Sequence, residues 1–200
     1  HEPLLRELRA LGLRTVHCRW TDDAVDWASV RVALPLGTWS YADSHANHEK
    51  FCAFLQTLDA AGPDLVAVRW GSHKRYLLEL RDAGVPIVPT VLLERGSGAA
   101  EIESARSGLH RWYRPAHYVA KPALGSRGDG VERLAAAGDE GEWRKLERLL
   151  AERDMLLQPF LSSVTLDGEL CLVFVDGELL HAVHKDPSGW GARAAAAAAA

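Results

Sequence analysis

The 200-residue chain is long enough for one large domain or two small ones, and its 48% hydrophobic, 25% charged composition is that of an ordinary globular protein. A formal net charge of -4 argues against nucleic acid as the main partner, because phosphate-backbone binding calls for a basic surplus. Cys18, Cys52 and Cys171 are odd in number, far apart and outside any C-x-x-C pair, so buried free thiols in a reducing cytoplasm are expected rather than a disulfide framework or a zinc ribbon. No run of about 18 apolar residues marks a membrane span, and no signal-peptide pattern opens the chain. The start at His1 and the closing run Ala194 to Ala200 read as the ends of a fragment, so chemistry near the C-terminus is expected to lie beyond it.

Leu4, Leu5, Leu8 and Leu11 recur at helical spacing over Pro3 to Leu11, with Gly12 as the stop. Arg14 to Arg19 and Val30 to Leu36 read as strands, a helix is expected over His48 to Ala60, and Leu65 to Val68 reads as a third short strand. Apolar strands alternating with helices predict a three-layer α/β unit on a parallel sheet over residues 1–70. Ser72 is the expected N-cap of a helix over His73 to Ala83, and Pro86 and Pro89 keep Val85 to Leu93 extended. A helix over Glu101 to Leu109, a strand leading to Lys121, a glycine-rich loop, a helix over Glu142 to Arg153 and a strand over Met155 to Phe160 follow. Leu170 to Val175 and Leu179 to Val183 flank Asp176-Gly177, the signature of a two-residue hairpin.

Several residues carry candidate chemistry. The loop Gly125-Ser126-Arg127-Gly128-Asp129-Gly130 follows a strand ending in Lys121-Pro122. Its glycines let the backbone approach an anion and point amides at it, with the lysine supplying charge, although neither standard phosphate-loop pattern is present. Lys74 is expected in the first turn of a helix, where orphan amides favour a phosphate. Gln158-Pro159-Phe160-Leu161 ends a strand where a side-chain amide and backbone groups can read a purine edge. Trp39-Ser40-Tyr41, after the second strand, can line a substrate pocket or form a core edge. His181 and His184, three apart on a strand, point to opposite faces and cannot share a metal, and His45 and His48 lack a third ligand nearby.

The ordered set resembles a known family. A lysine in "SHKRYLLEL", then "GVPIVPT", "YVAKPALGSRGDG", "MLLQPFL" and "DGELCLVFVDGE" is the succession of the ATP-grasp enzymes, and it is most similar to their glutathione-synthetase-like branch and its ring-closing ligases. The resemblance covers about Trp70 to Lys185. It implies a pre-ATP-grasp α/β domain over 1–70 and an ATP-grasp fold over 71–200, with a lid subdomain at about 90–157 and an incomplete C-terminal part. By the same resemblance Lys74 and Lys121 contact the ATP phosphates, and the loop of Gly125, Ser126, Gly128 and Gly130 closes over them. Gln158 faces the adenine amino group, Phe160 and Leu161 present backbone and apolar surface to the base, and Glu169 holds the ribose. Lys185 and Arg193 are the cations at the transferred phosphoryl group. The Mg2+ ions would take an acidic residue and a Glu-x-Asn pair, which the chain does not contain and which are expected beyond it.

The implied activity is a cytoplasmic, ATP-dependent carboxylate-amine ligase acting through an acyl phosphate on an amino-acid-like small molecule, with ring closure of a ureido amino acid as the narrowest expectation. A small-molecule kinase on the same fold and a non-catalytic ATP-binding module are the alternatives. Neither nucleic acid nor membrane is an expected partner, and self-association is left open.

Overall fold

A computed structural model of the chain describes residues 2–58, 65–126, 128–138 and 140–186. Helix α1 (Glu2–Ala10) opens it, followed by two single 3-10 turns at Trp27–Ser29 and Ser40–Ala42. Helix α2 (His45–Thr57) is capped by Ser44, whose hydroxyl accepts the Asn47 amide, one of the orphan donors of a helix start. Its apolar stripe buries Phe51 and Leu55, which pack with Leu58 and with Leu65 of helix α3 (Leu65–Gly71). Trp20, Trp27 and Tyr41 close this small core, with Tyr41 stacked on Phe51 at 4.8 Å between ring centroids and Trp27 edge-on to Phe54.

The expected strands of this region are not formed. Residues 14–19 and 32–35 carry no regular secondary structure, and Val16, Val32, Leu34 and Leu36 are exposed. Leu65 to Val68 lies in α3, not in a strand. The reason is partly one of signal, since a four-residue apolar run is equally a strand or one side of a helix. It is also one of pairing. A parallel strand needs ladder partners, and no strand among the described residues precedes Val91. No parallel sheet is present among the described residues, so the three-layer reading of residues 1–70 is corrected; the chain as a whole is mixed α and β.

The sheet that forms is antiparallel, of four strands in the order β1 (Val91–Leu93), β4 (Met155–Pro159), β2 (His117–Pro122) and β3 (Glu132–Ala135). The helix expected at residue 73 begins later, as α4 (Tyr76–Asp82). Helix α5 (Ala99–Tyr113) starts at Gly98, whose amide is taken by the Glu101 carboxylate, and helix α6 (Glu140–Leu150) precedes β4. Side chains alternate across a strand, so the register Ala120↔Leu157 puts Tyr118, Ala120, Met155 and Leu157 on one face. There they join Ile102, Ala105 and Leu109 of α5 and Leu146 and Leu150 of α6 in one buried cluster. Each large side chain so buried contributes about 1.5–3 kcal/mol. The other face carries Lys121, Leu156 and Gln158.

After the short helix α7 (Ser163–Leu166), strands β5 (Glu169–Val175) and β6 (Glu178–Lys185) form the expected hairpin. Asp176 and Gly177 take φ angles of 52° and 79°, the left-handed pair that a two-residue hairpin turn demands. No helix among the described residues is long and apolar enough to cross a membrane.

Candidate nucleotide site

The β2–β4 register pairs Val119 with Gln158 and Lys121 with Leu156, which places Lys121 and Gln158 on the sheet face opposite the core. Arg133, opposite Val119 on β3, shares that face. Lys121 is half-buried, and burial pushes its ammonium pKa down, while the charge of Glu169 acts in the other sense.

Lys74 sits ahead of α4 and not in its first turn, and Ser72 donates its hydroxyl to the Arg69 carbonyl at 2.6 Å, closing α3 instead of capping α4. Lys74 therefore does not stand in the first turn of a helix as expected, because α4 begins two residues later, at Tyr76. Tertiary bonds hold it instead. Its amide donates to the Ala123 carbonyl at 2.9 Å, and its ammonium donates to the carbonyls of Pro122 at 3.0 Å and Gly125 at 2.7 Å. Those groups are the end of β2 and the first residue of the glycine loop. Burial, and then the like charge of Lys121, lower the Lys74 pKa to about 8. Two ammonium groups thus share a partly dehydrated corner, each destabilised in a way that an anion would relieve.

Among the described residues of the loop, the Asp129 amide donates to the Ser126 carbonyl and the Val131 amide to the Gly128 carbonyl. At Gly130 the chain has φ 69°, and a β-carbon there would come within 3.0 Å of Pro122 Cγ, so glycine is demanded by both conformation and space.

Gln158 is almost fully buried, and its Nε2 donates to Thr90 Oγ1 at 2.6 Å. The Phe160 amide is not available to a base, because it extends the ladder to the His117 carbonyl at 2.9 Å, and the Leu161 carbonyl accepts from Val164. The bond to His117 corrects the expectation only for the Phe160 amide; what Phe160 presents is its ring, 3.9 Å beneath the Arg133 guanidinium. Glu169 and Lys185 face each other across the hairpin register and form an ion pair, with Cys171 Sγ also donating to the same carboxylate oxygen at 3.3 Å. The lysine and cysteine contacts hold the Glu169 carboxyl below its usual range, and the carboxylate raises Lys185 in return. Arg193 lies outside the described residues.

Beside this site, a cleft of about 310 Å³ is lined by Trp39, Tyr41, Phe51, Val68, Gly71 and Ser72 among others. Ser72 is two residues from Lys74, which sets the cleft next to the lysine corner. Ser72 Oγ has already given its proton to Arg69, so the His48 Nε2 at 2.7 Å is the donor in their contact, and burial lowers the His48 pKa. Among the described residues no three His, Cys, Asp or Glu side chains converge to hold a metal ion. Thr90 was not singled out by sequence, although it closes the "GVPIVPT" segment; its contact with Gln158 spans 68 positions and has no local signal.

Known proteins resemble the chain in sequence and in fold. A family described as the N-terminal domain of D-cycloserine synthetase DcsG matches residues 1–72. The cycloserine biosynthesis protein DcsG of Streptomyces lavendulae is 33% identical over 184 residues, which is 92% of this chain and 61% of that protein. A crystal structure of D-cycloserine synthetase DcsG superposes with a TM-score of 0.79 at 32% identity, covering 93% of this chain and 62% of that one. The chain is thus similar to DcsG in sequence and in fold, and it spans about three-fifths of that relative's length.

Proposed function

We propose that the protein is an ATP-dependent ligase that activates a substrate carboxylate as an acyl phosphate and passes the acyl group to a nitrogen nucleophile. The observation that carries this reading is the corner where half-buried Lys74 and Lys121 meet the end of β2 and the glycine loop, a place short of negative charge and supplied with backbone groups. A polyphosphate fits that chemistry. Lys74 and Lys121 bind its phosphates, Gly125, Ser126 and Gly128 close over them, and Gln158, Phe160 and Leu161 meet the base. Glu169 meets the ribose, with Lys185 and Arg193 serving the transferred phosphoryl group. In this reading residues 1–70 form the preceding domain, and residues 71–200 belong to the ATP-grasp domain with its lid at about 90–157.

The substrate carboxylate oxygen attacks the γ-phosphorus, and the β–γ bridging bond breaks to release ADP. The nitrogen then attacks the acyl carbon, and inorganic phosphate leaves with the carboxylate oxygen. The protein contributes placement and charge, with no covalent bond to the enzyme required. Mg2+, expected for such a transfer, has no ligand set among the described residues, so no step is assigned to it.

The aromatic cleft beside Ser72 is the proposed seat of an amino-acid-like substrate. Homology to DcsG favours a substrate carrying its own nitrogen nucleophile, such as a ureido amino acid that closes to a ring like that of cycloserine. The test is ADP release against a panel of amino acids, with products read by mass. Amino-acid-dependent ADP release with an amide or ring product supports the ligase. A stable phosphorylated product would replace it with a kinase, and ATP binding without turnover would replace it with a binding module.

A further inference from the structure

We infer that Thr90 is a positioning residue that sets the base preference of the nucleotide site by fixing which way round the Gln158 amide lies. The inference rests on the reading of Gln158 as the residue facing the base and extends it to the atom that makes the contact.

The β1–β4 ladder pairs Val91 with Leu157, Leu92 with Leu156 and Leu93 with Met155, and one step further the same register brings Thr90 opposite Gln158. Both side chains are nearly sealed from solvent, at 5% and 6% exposure, so neither can exchange its partner for water cheaply. Thr90 has one hydroxyl proton, and Oγ1 donates it to the Val88 carbonyl at 2.6 Å. Toward Gln158, also at 2.6 Å, the same oxygen can therefore only accept. An amide turned the other way would set two oxygens lone pair to lone pair in a buried pocket. The chain Gln158 Nε2–Thr90 Oγ1–Val88 O thus leaves Gln158 Oε1 as the atom offered to a ligand, on the sheet face that also carries Lys121.

An acceptor at that point selects a purine with an amino group at position 6 and repels one with a carbonyl there. The discrimination comes from the hydroxyl of Thr90, which touches no ligand itself. A glutamine without such a partner could turn its amide to suit either base.

The test compares ATP with ITP, which differ at position 6, by equilibrium binding to the wild-type protein and to Thr90→Val and Thr90→Ser. The wild type should bind ATP more tightly than ITP by on the order of tenfold. Thr90→Val should bring that ratio toward one, whereas Thr90→Ser, which keeps the hydroxyl, should retain it. General damage to the site would weaken both nucleotides alike and leave the ratio unmoved. A folded Thr90→Val protein with the wild-type ratio would overturn the inference. So would equal binding of ATP and ITP by the wild type, a result that needs no variant to fold and leaves the nucleotide site itself intact. Failure of the wild type to bind either nucleotide would overturn the functional reading and the inference with it.

Discussion

Replacing Lys121 by methionine separates what the ammonium does for the fold from what it does for the ligand. Lys121 stands on β2 opposite Leu156, half-buried, and burial disfavours its charge. Methionine keeps most of the volume and removes the dehydrated charge, so the folded protein should lose no stability and the thermal midpoint should stay level or rise. ATP binding should move the opposite way. One hydrogen bond from a charged donor is worth about 1.5–3 kcal/mol, which corresponds to a dissociation constant about 10- to 150-fold weaker. Part of the loss should be recovered at Lys74, whose charge Lys121 currently disfavours and whose pKa should rise above about 8 in the variant. Calorimetric titration with ATP, paired with thermal unfolding of the same sample, reads both quantities. A folded Lys121→Met protein that binds ATP as tightly as the wild type would refute the placement of the phosphates.

Other consequences follow from the same geometry. Because the Lys74 pKa is lowered to about 8, ATP affinity should be constant below that pH and weaken above it, and binding near pH 8 should take up protons, measurable by titration in buffers of different ionisation enthalpy. In the absence of nucleotide, the unfolded chain holds that proton more tightly than the folded one between about 8 and the ordinary 10.5, so the contribution of Lys74 makes stability rise with pH across that window. Gly130→Ala forces a β-carbon into a left-handed residue against Pro122 and should cost about 1–2 kcal/mol, a drop of about 2–8 °C in thermal midpoint. Leu146→Ala, in a core position with 0% exposure, should cost about 2–5 kcal/mol in urea unfolding.

Much of the second half of the chain was legible in sequence because its signals are local. The β2 and β4 segments are bounded by proline and carry runs too apolar for a loop, and Asp176-Gly177 allows little besides a tight hairpin. Residues 14–19 and 30–36 carry similar runs, yet whether such a run becomes a strand depends on neighbours that local pattern does not specify. The sheet order β1-β4-β2-β3 is likewise a matter of long-range pairing. At the candidate site, residue types and their order singled out Lys74, Lys121 and Gln158. They did not show that Lys74 is tied to the carbonyls of Pro122 and Gly125, or that Thr90 holds Gln158, because those contacts join segments 48 to 68 positions apart. The Phe160 amide was misjudged for a related reason, since its partner His117 lies on another strand.

Attack of the substrate carboxylate on the γ-phosphate can be followed by isotope transfer, without reference to any one residue. With a turning-over amino acid labelled with 18O in its carboxylate, each inorganic phosphate released should carry one 18O, because the carboxylate oxygen leaves with the phosphoryl group. Unlabelled phosphate formed at the same rate would show that water, not the carboxylate, receives the phosphoryl group, and would rule out an acyl phosphate.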